Sequence, residues 1–448
     1  MISNTVAGRL EKWFALTANG TTVRTELLAG VTTFLTMAYI IFVQPAVLSA
    51  AGMDFGAVLT ATCLATAFAT MLMALLANYP IAVAPAMGHN FFFAYSVVIG
   101  MKVPWRVALG AVAIAGFIFI LTAGVGLRER LITAIPASLK HAIAAGIGLL
   151  IAAIGLQWAG LIVASPGTLV TLGNLHSRPV LLALLALALT SLLMARRVPG
   201  AFLWGMLAST AVGVPLGLVQ FHGLVGAPPS IRPTLAQLDI AGAFAPGMVA
   251  VIFVFFFLAL FDSVGTLVGV GQQAGLMRNG TLPKAREALL ADAVGTVAGA
   301  ALGTSTVTAY IESGAGIATG GRTGLASVIT AALFLLSLLF YPLVQMVGGG
   351  YVSGGATLYP VIAPPLVLVG TMMIGGLRHV PWDDPTEAIP AFLTLLLMPL
   401  AVSITEGVAF GVVSYAALKL ASGRRREAHP LIYVFAVLFL ARYAWLLR

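Results

Sequence analysis

Residues 303–314 read GTSTVTAYIESG, and the reading of this stretch decides the fold. Thr304, Thr306, Thr308 and Tyr310 alternate with their neighbours at the two-residue period of a strand, and Glu312-Ser313-Gly314 then restarts a short helix. Long apolar segments lie on both sides. Backbone that leaves the helix at membrane depth finds no water, so it must be buried in protein or line a cavity. A second stretch, residues 82–88, breaks in the same way: it carries Pro85, follows Pro80, and runs into Gly88-His89-Asn90, an extended segment followed by a short helix.

Outward from these breaks, apolar stretches near the ~20 residues that cross a ~30 Å hydrocarbon core recur from Leu27 almost to the C-terminus. They predict spans over 27–49, 55–76, 90–99, 107–127, 135–158, 180–194 and 201–219. A second set follows at 248–270, 289–302, 312–318, 325–347, 356–374, 388–400 and 404–420. The fold class is an all-α polytopic membrane protein of about fourteen transmembrane spans in two sevens. An odd number of spans inverts the second half relative to the first. Interrupted spans at corresponding places of two inverted halves, here spans 3 and 10, point to a transporter's midplane binding site. Residues 431–447 form a further apolar segment, interrupted by Arg442, which either lies on the membrane surface or packs on the bundle.

Composition agrees: 60% of the residues are hydrophobic and 8% charged, against roughly a quarter charged in soluble domains. Residues 1–22 are polar, with Arg9, Glu11 and Lys12, and read as a cytoplasmic segment rather than a cleaved signal peptide. The net charge of +9 does not indicate nucleic acid, because the basic residues are scattered between spans. They follow topology instead. Loops after even-numbered spans hold Arg128, Arg130 and Lys140; Arg196 and Arg197; Arg278, Lys284 and Arg286; Arg322; Arg378; and Arg424 to Arg426. Lys102, Arg106, Arg178 and Arg232 are the exceptions. The N-terminus and the end of span 14 are therefore expected in the cytoplasm, with the chain in a bacterial inner membrane. The single cysteine, Cys63, removes a disulfide framework. The glycine-rich GAGIATGGRTG at 314–324 lacks the ending of a phosphate loop, and no H-E-x-x-H pattern occurs. No catalytic residue, metal or cofactor is expected, and a proton gradient remains as the energy source.

Acidic residues inside spans cost roughly 2.5 to 3.5 kcal/mol each at a helix centre and so default to function. Glu312 stands where span 10 restarts, near free N–H groups that favour a carboxylate and a polar ligand. Asp262 lies in FFFLALFDSVGTLVGVG with Thr266 one turn away, while Gly265 and Gly269 form a small-residue pair that would admit another helix. Asp262 and Glu312 are the candidate proton carriers. Asn90 would cap the short helix of span 3, alone or while also presenting its amide to a ligand. His89 is adjacent. Asp292 and Glu406 sit near helix starts, where acids are favoured anyway, and Asp384-Pro385-Thr386-Glu387 reads as a helix start rather than a metal site.

Five segments carry a family resemblance: TELLAGVTTFLTMAYIIFVQPAVLSAAGM, APAMGHNFFFAYSVV, LFDSVGTLVGV, ADAVGTVAGAALGTSTVTAYIESGAGIATGGRTGL and PWDDPTEAIPAFLTLLLMPLAVSITEGVAFG. Through them nearly the whole chain resembles the AzgA-like branch of the nucleobase-cation symporter-2 family, the adenine, guanine and hypoxanthine permeases. The resemblance implies two inverted seven-span repeats. A core domain would comprise 24–127 (spans 1–4) and 221–347 (spans 8–11), and a gate domain 128–220 (spans 5–7) and 348–421 (spans 12–14). Residues 1–23 and the basic and apolar segment 422–448 flank them. Short antiparallel strands from spans 3 and 10 would meet at the substrate. Glu312 matches the family's substrate-binding glutamate, Asp262 its span 8 aspartate, and Asn90 its span 3 asparagine. Two departures stand out: Ala259-Leu260-Phe261-Asp262 replaces Asp-Leu-Phe-Asp, and Gly88-His89-Asn90-Phe91-Phe92 replaces Gly-Leu-Asn-Ala-Phe.

The expected function is proton symport of a purine nucleobase by alternating access, with Glu312, Asp262, Asn90, His89, Phe91 and Thr308 as the site. Phe91, Phe92 and Tyr310 serve either to stack on the base or simply to pack. The partners are the nucleobase, protons and the lipid bilayer, with a homodimer left open. The rival readings are a carrier of xanthine, a pyrimidine or an organic anion on the same fold, and, from other classes, an intramembrane enzyme or a channel.

Overall fold

The fold depends on how the backbone of the two broken spans is satisfied. The computed structural model describes residues 4–125, 136–245, 247–277, 282–353 and 355–446, so Arg128, Arg130 and Arg278 of the predicted loops lie outside the described residues. Val83–Pro85 of span 3 pairs antiparallel with Val307–Ala309 of span 10, in the register Val83 to Ala309, Ala84 to Thr308 and Pro85 to Val307. Ala86 N donates to Thr306 O at 3.0 Å and Tyr310 N to Ala82 O at 2.9 Å, extending the pair at both ends.

A two-stranded ribbon leaves an unpaired edge on each side, and at this depth only side chains can serve it. Thr70 of span 2 donates its hydroxyl to Val83 O at 3.0 Å and accepts from Val83 N at 2.9 Å. Thr296 of span 9 does the same for Val307, at 2.8 and 3.2 Å. Spans 2 and 9 hold equivalent places in the two sevens, so the inverted repeat is visible in the bonding itself. Further along, Ser313 Oγ accepts from Ala82 N at 3.0 Å and Asp292 Oδ2 from Ala309 N at 3.2 Å.

Helices of crossing length form at Val23–Ala50, Phe55–Ala77, Trp105–Ala123, Ala137–Trp158, Arg178–Ala195, Met248–Gln273, Gly324–Gly348 and Ile404–Ala421. Ala201–Gly213, Ala285–Leu302, Ala363–Ile374 and Pro385–Leu400 fill the remaining unbroken spans. Their starts follow local chemistry. Asp54 accepts from Ala57 N at 2.7 Å, and Asp384 accepts from Thr386 N at 2.9 Å with Pro385 in the first helical position, as the PWDDP segment predicts. Span 1 is two helices, Val23–Met37 and Ile40–Ala50, broken at Ala38-Tyr39.

Spans 1 and 11, 2 and 9, and 4 and 9 pack together, as do spans 5 and 12, 5 and 13, and 6 and 7. Close crossings use glycine: a Cβ on Gly30 would lie 2.5 Å from Ala326 O, and one on Gly370 2.5 Å from Gly148 O.

Several boundaries differ from expectation. Span 12 begins at Ala363, because Ala356–Leu358 instead forms a hairpin with Tyr351–Ser353. Span 7 ends at Gly213, and a second hairpin, Ile162–Ser165 with Leu169–Leu172, joins spans 5 and 6. Asn90 does not cap the span 3 helix: that helix runs Met87–Phe91 from Ala86, with Asn90 inside it, and continues as a wider π-helical segment, Phe92–Gly100. Gly265 and Gly269 receive no neighbouring helix, since a Cβ on either would meet open space.

The segment left open by its sequence is a helix, Pro430–Leu446, that packs on span 14 in the opposite direction. Tyr433 donates to Arg425 O at 3.0 Å at one end, and Arg442 pairs with Glu406 at 2.8 Å at the other, where Tyr443 also donates to Glu406. An ionic cluster ties its approach to spans 13 and 14. Buried Lys419 lies between Glu387 at 2.9 Å and Glu427 at 2.8 Å, and Arg424 bridges Asp384 and Glu427 at 2.7 Å each.

Bonds from the Thr386 hydroxyl and from Arg424 pull the Asp384 carboxyl down to about 2, and Arg424 with Lys419 pulls Glu427 down to about 2. Carboxyls held below their unfolded value of about 4 stabilise the fold above that value and lose the contribution as pH falls toward 2. Backbone protection over 422–429, corrected for intrinsic exchange, should therefore stay level from about pH 8 to about pH 5 and fall only below about 4. Thr70→Val and Thr296→Val each leave two buried backbone groups unserved. Each should lower stability by about 2–4 kcal/mol in thermal unfolding in detergent, with Thr→Ser near wild type.

Candidate substrate site

Where the strands cross, the chain leaves a slot of about 130 Å³ whose walls include Tyr39, Asp262, Thr308, Tyr310, Glu312 and Met372. It joins a wider cavity of about 420 Å³ reaching past His89, Lys140, His141, Phe257 and Phe261. Gly88, Asp262, Thr266, Ile311 and Met373 border both. Spans 1, 3, 8 and 10 thus form one wall, and spans 5 and 12 face it. The joint volume lies in the roughly 300–1,000 Å³ range of small-molecule sites.

Glu312 directly precedes the short helix Ser313–Ala318, and its side chain does not cap it. Its Oε1 accepts from the Tyr39 hydroxyl at 2.8 Å, and Thr36 Oγ1 donates to its carbonyl at 3.3 Å. Tyr39 stands at the break in span 1, so that break aims a phenol at the carboxylate. Asp262 accepts from Thr308 Oγ1 at 3.1 Å and keeps 46% of its side chain exposed to the cavity. His89 Nδ1 lies 4.0 Å from Asp262 Oδ2, beyond hydrogen-bond reach, and its buried Nε2 has no partner among the described residues. Glu312, Asp262, Thr308 and His89 are therefore brought together.

Asn90 and Phe91 are not. Asn90 is fully buried behind the crossing, where its Oδ1 accepts from Ser305 Oγ, which in turn accepts from Gln44 Nε2 at 3.2 Å. Its Nδ2 has no partner among the described residues. Phe91 stacks on Tyr95 at 5.7 Å and packs near Trp158, and Phe92 packs on Phe255 at 4.7 Å, so both belong to the core. Among the described residues, the phenyl and phenol rings that reach the cavities are those of Tyr39, Tyr310, Phe257 and Phe261.

Two residues of this region escape sequence reasoning. Tyr39 sits in an apolar run with no polar periodicity to mark it. Asp292 falls near a helix start by spacing, yet it is fully buried seven residues into span 9's helix, holding the Ala309 amide directly under the slot. A carboxylate among Ala and Gly is the signal that could have found it.

Residues 24–410 match the model of a permease family, Xan_ur_permease. The chain belongs to this permease family. The permease is 45% identical to the adenine permease AdeP of Escherichia coli over 97% of its length and 96% of that protein's. It is 44% identical to the guanine/hypoxanthine permease PbuG of Bacillus subtilis over 98% of its own length and 100% of that one's. In fold it is similar to the transmembrane domain of the bicarbonate transporter BicA of a cyanobacterium, with a TM-score of 0.62 at 19% identity over 87% of this chain and 97% of that one. That likeness is one of architecture, the inverted seven-plus-seven repeat.

The chain is thus a multi-pass membrane transporter rather than an enzyme. Its site has to bind and release a solute rather than change it, so no cofactor takes part.

The open geometry can be checked without a substrate. Ile311 is 61% exposed beside both cavities, whereas Cys63 is fully buried. Ile311→Cys should react with a water-soluble maleimide at least about tenfold faster than native Cys63, as mass spectrometry of the labelled protein would read.

Proposed function

We propose that this permease imports purine nucleobases together with protons. The observation that carries the reading is the slot itself, in which Glu312, steadied by Tyr39, faces Asp262 and Thr308 across a space of about 130 Å³. A purine presents N–H donors and ring acceptors around a flat rim. A carboxylate accepts from the donors, hydroxyls serve either role, and Tyr310 offers a ring face. Adenine and guanine/hypoxanthine permeases among the relatives support the same solute class. Two carboxylates at one site speak against an organic anion.

In this reading spans 1–4 and 8–11 are the core domain that holds the base, and spans 5–7 and 12–14 the gate domain against which it moves. The N-terminus is cytoplasmic, by the placement of arginine and lysine, and the membrane is a bacterial inner membrane, a reading supported by relatives from Escherichia coli and Bacillus subtilis. The wide cavity lies between the start of span 5 and the middle of span 8; in this reading it opens toward the cytoplasm, where span 5 begins. Asp262 and Glu312 carry the coupling: either can bond a base N–H while charged, and protonation on one side of the cycle changes what it can hold. Asp292 positions the strand rather than touching the base.

The test is uptake of tritiated adenine, guanine and hypoxanthine into cells lacking their own purine carriers, with and without an uncoupler. Accumulation of at least one base that the uncoupler abolishes is the expected result. Glu312→Gln should abolish accumulation while the protein stays in the membrane at wild-type level. Asp262→Asn should leave at most equilibration that the uncoupler no longer affects. Full, uncoupler-sensitive transport by Glu312→Gln would overturn the assignment.

A further inference from the structure

The slot accounts for Glu312, Tyr39, Asp262 and Thr308, but the wider cavity of about 420 Å³ beside it has chemistry of its own. Its wall carries two phenylalanines one turn apart on span 8, Phe257 and Phe261, with ring centroids 4.5 Å apart. Lys140, near the start of span 5, reaches across and sets its ammonium 5.2 Å above the Phe261 ring. His89 lines the same space, 3% exposed, with Nε2 unpartnered among the described residues. Asp262 stands at the passage between cavity and slot. The cavity therefore combines an aromatic face, a cationic donor and a buried imidazole, and it shares five lining residues with the slot.

We propose that this cavity is a second purine subsite on the path between the slot and the open face, and that Lys140 makes it selective for 6-oxopurines. The inference rests on the purine reading above. A base arriving here takes the Phe261 face, and the lysine, on a flexible four-carbon stem, turns one of its N–H donors from above the ring toward the edge of the base. An ammonium has three N–H donors and no acceptor. The 6-oxopurine edge presents two adjacent acceptors, O6 and N7, whereas the 6-aminopurine edge places an N–H donor beside N7 and turns like polarity toward the ammonium. His89, with either nitrogen able to accept or donate, serves both classes and does not discriminate.

The experiment is competition: uptake of whichever tritiated base the wild type accumulates, inhibited by unlabelled hypoxanthine and by unlabelled adenine. The readout is the ratio of the two inhibition constants. The wild type should favour hypoxanthine, and Lys140→Met should cut that preference by about tenfold, the discrimination of one good charge-assisted pair. Lys140→Arg should keep the preference. Phe261→Leu should weaken both bases together and leave the ratio in place. If Lys140→Met does not reach the membrane, Lys140→Gln carries the same comparison. An unchanged ratio in the variant lacking the ammonium, with purine uptake intact, would overturn the subsite and leave the transport function standing. No uptake of any base by the wild type would overturn both.

Discussion

Everything in this permease is arranged around four backbone groups, the N–H and C=O of Val83 and of Val307. The two short strands to which they belong meet where no solvent reaches, and their outward-facing bonds have no strand to go to. One threonine from each half closes each edge with a single hydroxyl used in both senses, Thr70 on Val83 and Thr296 on Val307. Spans 2 and 9 must therefore lie close against the ribbon. Glycine along the crossing helices lets them do so, as Gly295 shows, where a Cβ would come within 2.6 Å of Ala69.

With its backbone satisfied from behind, the ribbon can turn its front toward the slot, and Thr308 illustrates how the two roles combine. Its backbone lies opposite Ala84 in the register, while its side chain donates to Asp262. A slip of one residue would send the hydroxyl to the other face and replace it with a methyl or isopropyl group. The acids follow the same logic. Each has a defined partner, Tyr39 for Glu312, Thr308 for Asp262 and the Ala309 amide for Asp292, which offsets part of the cost of holding carboxylates inside a bilayer.

Much of this was legible in the sequence, for identifiable reasons. The spans follow from apolar length, the breaks from alternation in TSTVTAY and from the prolines around 82–88, and Glu312 and Asp262 from their isolation among apolar residues. What was not legible depends on three-dimensional direction. Asn90 and Phe91 adjoin the site in sequence, but the helical turn beginning at Met87 points them behind it, so that Asn90 meets Ser305 and Phe91 meets Tyr95. Tyr39 reaches Glu312 through a break in span 1 that no glycine or proline marks at that point. Gly265 and Gly269 look like a helix-packing pair by spacing, yet they border open space, because spacing alone does not say whether a neighbour is there.

The strand pair draws one of its members from each half of the chain, and this bears on how the protein is made. As the first seven spans leave the insertion machinery, Val83–Pro85 has Thr70 on one side and nothing on the other, since Val307–Ala309 lies more than two hundred residues further along the chain and is still to be inserted. An exposed strand edge cannot rest in lipid. The first half therefore cannot reach its final form alone. Its third span has to be held in a provisional state until the tenth arrives, and the two halves complete each other in a single late step of assembly.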